Sequence, residues 1–299
     1  MSYDIKWKGV NKRFTRNDFE RYFSNRKNYQ INASQAWYEN EDTGVYFSFD
    51  YNDKTEEKKL DNSEYDFSFS VNLFRPHFFA LEAANELSAI SEQFQLTLED
   101  QQIEDVKTFS AQNFVTAWNK SNESAYKSLL SESLEETFYV LPTDILQRIW
   151  QWNYQKNKLQ QKYGDDVFVP VVSLGVSENH ICSFSVWSDG ISICVPNCID
   201  QLILYKDDIL QKKHKFFLRK KPEICAIEYS VAQKLIEQFK HFEGDVSYHL
   251  VNSGFPKISP EIKSFFLNTK SSNDISVLSL DTVLNEELYN KFTEQIISC

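Results

Sequence analysis

The sequence predicts an α+β fold, an antiparallel meander with helices on one face, followed by a second α+β domain. Three observations lead there. Phe67, Phe69, Val71 and Leu73 alternate with Asp66, Ser68, Ser70 and Asn72, the period of a half-buried antiparallel strand. Val45, Phe47, Phe49 and Tyr51 alternate in the same way with Tyr46, Ser48 and Asp50. Phe79, Ala83, Leu87, Ile90 and Phe94 then recur at helical spacing, and laying such helices over one face of the meander buries both apolar surfaces at once.

The elements follow in order. Thr15 caps a first helix with Asp18 three residues on, and Phe14 and Phe19 occupy the positions of a hydrophobic staple. A strand is expected from Tyr29 to Glu39, then a turn at Asn40 to Gly44, the strand from Val45 and a polar loop from Asn52 to Ser63. Pro76 opens the next helix in its first turn. Residues 100–113 carry no strong period, and a boundary there gives domains 1–108 and 109–299. Beyond it lie helical stretches at Phe114–Trp118 and Ala125–Leu130, then a longer helix from Thr143 to Tyr163. Asp144 in its first turn, Lys162 in its last and Gly164 beyond fit the helix dipole and stop signals. A β-rich segment starts at Val167. Strands at Cys182–Trp187 and Ile191–Val195 flank Asp189-Gly190, a hairpin signal. Ser230 and Ser259 are expected to cap short helices, and Leu284, Leu288, Phe292 and Ile296 mark a C-terminal one.

Composition removes several classes. The chain has 299 residues, 41% of them hydrophobic, and no apolar run of the ~18 residues that a membrane span needs. The opening MSYDIKWKGVNKRF lacks the apolar centre of a signal peptide, so a cytoplasmic location is expected. Only seven glycines occur, and no Gly-rich phosphate loop or dinucleotide fingerprint is among them. Five cysteines, all from 182 onward, form no disulfide framework and read as reduced thiols.

Catalytic and metal chemistry find little support. His180-x-Cys182 and Cys194-x3-Cys198 flank the expected hairpin, yet their spacing matches no common zinc ribbon or knuckle, and Cys182 shares a strand face with Phe184 and Val186. No metal or other cofactor is therefore expected. There is no Gly-x-Ser-x-Gly elbow and no His-Glu-x-x-His helix, and no catalytic residue is assigned. Arg75 and Glu82 fall on one side of the second helix, where Arg75 reads as a fastener of the strand-to-helix corner. The run from Lys206 to Lys221 holds seven Lys/Arg, but within a chain of net −11 it reads as a solvated hairpin or a face paired with the protein's own acids. No nucleic-acid partner is expected.

Charge is informative when divided along the chain. Residues 1–38 carry a net +5, residues 39–66 a net −7 and residues 67–108 a net −5. The acids concentrate on loops at one end of the meander, beside aromatic residues. The candidate partner-binding set is Trp37, Tyr38, Glu41, Asp42, Glu56, Glu57 and Asp61, an acidic rim that would steer a basic protein and anchor it on rings.

Two stretches also carry a resemblance. Phe67 through the Arg75-Pro76 corner to Glu82-Ala83, and Tyr139-Val-Leu-Pro-Thr through Trp152-Asn-Tyr to Val167-Phe-Val-Pro170, resemble signatures in bacterial immunity proteins that neutralise polymorphic or type VI secreted toxins. The resemblance implies an inhibitor without catalytic residues, whose partner is its cognate toxin. An effector adaptor or chaperone is the alternative, and an enzyme whose site is assembled only by the fold is a third.

Overall fold

The computed structural model describes residues 1–10, 14–52, 65–100, 108–131, 138–178, 180–211, 221–254, 257–270 and 274–297. The fold class is α+β, with a large antiparallel sheet and several helices. The chain begins with β1 (Ser2–Gly9), α1 (Arg16–Phe23), β2 (Tyr29–Asn32), β3 (Gln35–Asn40), β4 (Val45–Tyr51) and β5 (Phe67–Asn72). Then come α2 (Phe78–Phe94), β6 (Leu96–Asp100), α3 (Ala111–Ser131) and β7 (Tyr139–Leu141). A second series follows: α4 (Thr143–Tyr163), β8 (Ser173–Ser177), β9 (His180–Ser188), β10 (Ile193–Pro196), β11 (Gln201–Lys206), α5 (Asp208–Gln211), β12 (Glu223–Glu228), α6 (Tyr229–Ile236), β13 (Lys240–Phe242), β14 (Tyr248–Val251), α7 (Pro260–Asn268) and β15 (Ser276–Val277). The chain closes with β16 (Val283–Asn285) and α8 (Glu286–Ile297).

Two compact units result, residues Met1–Thr143 with Val283–Cys299, and Asp144–Thr282. The division therefore falls elsewhere than the expected 108/109. The expected pair of helical stretches is one helix, α3, which packs on α2 and on α8 from the far end of the chain. β16 pairs in parallel with β7, and Phe74, Tyr126, Leu284 and Phe292 share one buried cluster. Leu284 thus belongs to a strand, not to the C-terminal helix stripe.

In the first unit the sheet order is β2-β3-β4-β5-β1-β6, antiparallel throughout. Tyr29 to Glu39 is two strands, not one, because Ala33 turns the chain at φ 50°. The Thr15–Asp18 capping box forms as the sequence suggests, and Phe14 meets Phe19 edge-on at 6.4 Å. The inner face of the sheet is aromatic. Phe49 lies 4.9 Å from Phe23 of α1 and 5.1 Å from Phe69, while Phe114 of α3 packs on Tyr3 and Phe69. Such tilted and edge-to-face rings fill volume while respecting the ring quadrupole. Glu82 of α2, fully buried, accepts from the Tyr38 hydroxyl at 2.7 Å, Asn40 Nδ2 at 2.7 Å and Thr43 Oγ1 at 3.1 Å, tying α2 to the β3–β4 turn.

In the second unit a five-stranded sheet runs β12-β11-β9-β8-β15, with β9 and β11 parallel, and a separate sheet runs β10-β14-β13. Asp189-Gly190 does not close a hairpin, since β9 and β10 belong to different sheets. The turn instead carries the chain from one sheet to the other. Both residues are left-handed (φ 50° and 70°), and Asp189 Oδ1 accepts from the backbone N–H groups of Asp207 and Ile209. A Cβ on Gly190 would meet Ile262 Cγ2 at 2.9 Å, so the position needs glycine for space as well as conformation. α6 starts two residues earlier than expected, with Glu228 at the N-cap and Ser230 inside it, whereas Ser259 caps α7 by accepting from Ile262 N.

The 152–170 stretch joins a helix to the segment that follows it. Residues 167–172 run beside α4, whose side chains bond their backbone, while Phe168 pairs in parallel with Ile193 of β10. Trp152 Nε1 donates to Pro170 O at 2.8 Å. The Asn153 amide bonds both N and O of Val172 at 2.8 Å each, and Gln160 bonds Val169 N and Val167 O.

Candidate protein-binding face

The helices of the first unit cover the face of its sheet that carries Tyr38, Phe47, Phe49 and Phe69. Alternation sends Gln35, Trp37 and Glu39 of β3, Tyr46, Ser48 and Asp50 of β4, Ser68 and Ser70 of β5, and Asp4 and Lys6 of β1 to the other face. Around Trp37 that face is preorganised. The indole stacks on Tyr46 (centroids 5.7 Å apart, planes at 21°) and its Nε1 donates to Glu39 Oε2 at 3.3 Å. Beside it, Asp50 accepts from Gln35 Nε2 at 2.8 Å and Ser48 Oγ at 3.1 Å.

Arg75 fixes this platform from below. Its Nη2 and Nε donate to the Tyr46 hydroxyl at 2.8 and 3.2 Å, and its Nη1 donates to Phe74 O. The corner backbone is left-handed at Phe74 (φ 61°), and buried Asn122 of α3 satisfies it by accepting from Phe74 N and donating to Arg75 O. The Arg-Pro corner is thus a support that reaches the surface through one tyrosine.

The structure separates the sequence-derived set. Trp37 lies half-buried on the open face, Glu41 is exposed and Asp42 half-exposed at the β3–β4 turn. Tyr38 is a correction. It is 3% exposed, stacks on Phe47 at 4.3 Å and donates to Glu82, and burial pushes its phenol up so that it stays a donor. A residue next to an outward Trp37 in a strand must point inward. Glu56, Glu57 and Asp61 lie outside the described residues. The fold adds Glu39 and Asp50 to the face and sets Tyr46, expected on the aromatic edge of the rim, against Trp37. Residues 35–50 hold four acids (Glu39, Glu41, Asp42 and Asp50) and no Lys or Arg, so this part of the sheet presents only negative charge.

The second unit offers other chemistry. Burial pushes the thiols of Cys182 and Cys198 up to about 11 and that of Cys194 to about 12, so they keep their protons at neutral pH and are poor nucleophiles. Among the described residues no three His, Cys, Asp or Glu side chains group to hold a metal ion. A cleft of about 1020 Å³ is lined by Phe168 and Ile191 with Asp165, Asp166, Lys257 and Lys263, equal numbers of each charge. No family model, curated protein or solved structure matches the chain. Among the described residues no helix is long and apolar enough to cross a membrane.

One titration is set by geometry. His241 and His249 face each other across β13 and β14, stacked at 4.6 Å, and the Asn197 amide contacts His241 Nε2 and His249 Nδ1 at 2.9 and 3.1 Å. Burial, then the neighbouring His241, lowers His249 below its ordinary 6.5. A depressed histidine pKa means that the unfolded state takes up the proton first. The hairpin's stability is therefore complete above pH 6.5 and declines as pH falls below it. Proton NMR of the imidazole resonances should show His249 titrating below 6.5, and a midpoint at or above that value would refute the assignment.

Proposed function

We propose that this chain is a stoichiometric binding protein of the immunity type, which neutralises a basic toxin by occluding it with the open face of its first unit. The observation that carries the reading is the rigid, half-exposed Trp37 set in a field of four acids. Aromatic anchors held in place before binding lose little entropy on complex formation, and interfacial energy concentrates on such residues. The surrounding carboxylates raise the encounter rate with a basic surface.

The experiment is rescue followed by kinetics. A toxin encoded beside this gene is the expected partner: co-expression should restore growth, and the purified pair should form a stable complex. Trp37→Ala is expected to cost about 2 kcal/mol of binding, close to a thirty-fold faster dissociation, with the fold intact. Reversing Glu39, Glu41 and Asp42 to Lys should slow association and flatten its salt dependence. Rescue that survives both changes with unaltered rate constants would sink this face as the interface.

A further inference from the structure

Lys206 ends β11 and is 1% exposed. The β11–β12 register sets it opposite Glu223 and places Cys225, opposite Leu204, on the same face and diagonal to the lysine. Both side chains converge on the same two acceptors. Lys206 Nζ donates to Glu223 Oε1 at 3.0 Å and to Thr269 O, the C-cap carbonyl of α7, at 2.6 Å. Cys225 Sγ donates to that same Glu223 oxygen at 3.1 Å and approaches the same Thr269 oxygen at 3.9 Å. A buried amine and a buried thiol thus share one carboxylate oxygen and one carbonyl.

We infer that Cys225 and Lys206 form a covalent sulfur–nitrogen cross-link when the protein meets a peroxide. The peroxide O–O bond breaks, sulfur takes one hydroxyl and gives up two electrons, and water leaves, producing a sulfenic acid. Sulfenic acids condense with nearby nitrogen nucleophiles as well as with thiols. Lys206 passes a proton to Glu223, and its freed Nζ attacks sulfur. The S–N bond forms, the S–O bond breaks, and the departing hydroxide takes up the second nitrogen proton and leaves as water. One thiol, one ammonium and one hydrogen peroxide become one S–N link, two waters and one proton. Cys225 and Lys206 are each 1% exposed and the Glu223 side chain that both touch is 49% exposed, so the peroxide has to enter past Glu223. Burial pushes the Cys225 thiol up, and the Glu223 bond adds to it, so the reaction quickens as pH rises.

The test uses the full chain, hydrogen peroxide and peptide mapping without reductant. The expected product joins the peptides that carry Lys206 and Cys225, lighter by two hydrogens than their sum. It resists tryptic cleavage after Lys206, and a thiol reductant releases both peptides. Cys225→Ser should abolish the product at unchanged circular dichroism. Lys206→Arg should leave the sulfur free to proceed to sulfinic acid, because a guanidinium remains protonated and does not attack. Since the arginine must fit a buried site, the wild-type map decides by itself. Recovery of Cys225 as a free thiol, a sulfinic acid or a disulfide, with cleavage after Lys206 unaffected, would overturn the inference.

Discussion

Replacing Glu82 by alanine is expected to destabilise the first unit by about 3–5 kcal/mol, the largest single-site effect on that unit. Three donors converge on one oxygen of this buried side chain, from Tyr38, Asn40 and Thr43. Truncation leaves each of them in a site that water does not reach, and an orphaned buried polar group costs about 1–3 kcal/mol. Glu82→Gln keeps the volume and an acceptor oxygen, so it should recover roughly half of the loss. A chain of two units has no single unfolding free energy, so the measurement is hydrogen exchange resolved to the amides of β3 and β4. Protection lowered by less than about 1 kcal/mol would show that the three donors find other partners.

Asn153→Leu should be the corresponding break in the second unit, at about 2–4 kcal/mol. Leucine fits the volume but offers neither donor nor acceptor to Val172, whose N–H and C=O are both satisfied by the Asn153 amide in a buried setting. Asn153→Gln should fail nearly as badly, because one extra methylene shifts the amide out of register with both groups. The readout is exchange at Val172 and Leu174, with the first unit's amides as internal control. Equal protection in variant and wild type would mean that Trp152 and Gln160 hold the extended segment without Asn153.

Local chemistry was legible from sequence wherever the partners are close along the chain. Thr15 and Asp18 form their capping box, β5 shows its alternation, and α4 runs from Thr143 to Tyr163 as its end signals predict. Alternation also held the information that Trp37 and Tyr38 face opposite ways, and grouping both as binding residues overlooked it. Other features depend on contacts across long separations. Asp189-Gly190 reads as a hairpin because turn chemistry is local, while the pairing of β10 with β14 rather than β9 is not. The parallel pairing of β7 with β16 joins residues more than 140 positions apart and leaves no periodic trace. Glu82 shows the same limit in the candidate site's support. Helix spacing sets Glu82 on the side of Arg75, but the three donors that the fold brings to it lie 39–44 residues away in sequence.

That long-range pairing has a consequence for how the protein is made. Residues 144–282 form an uninterrupted unit inserted between two parts of the other. On the ribosome the inserted unit emerges whole, while the first unit waits for Val283–Asn285 and α8 to complete its cluster around Phe74 and Tyr126. The cluster around Phe74 and Tyr126, although its first residues are synthesised early, is completed last. During that interval Phe74, Tyr126 and the flank of α3 are exposed to chaperones, and slowed translation of codons 144–297 should prolong their exposure and lower the yield of folded protein.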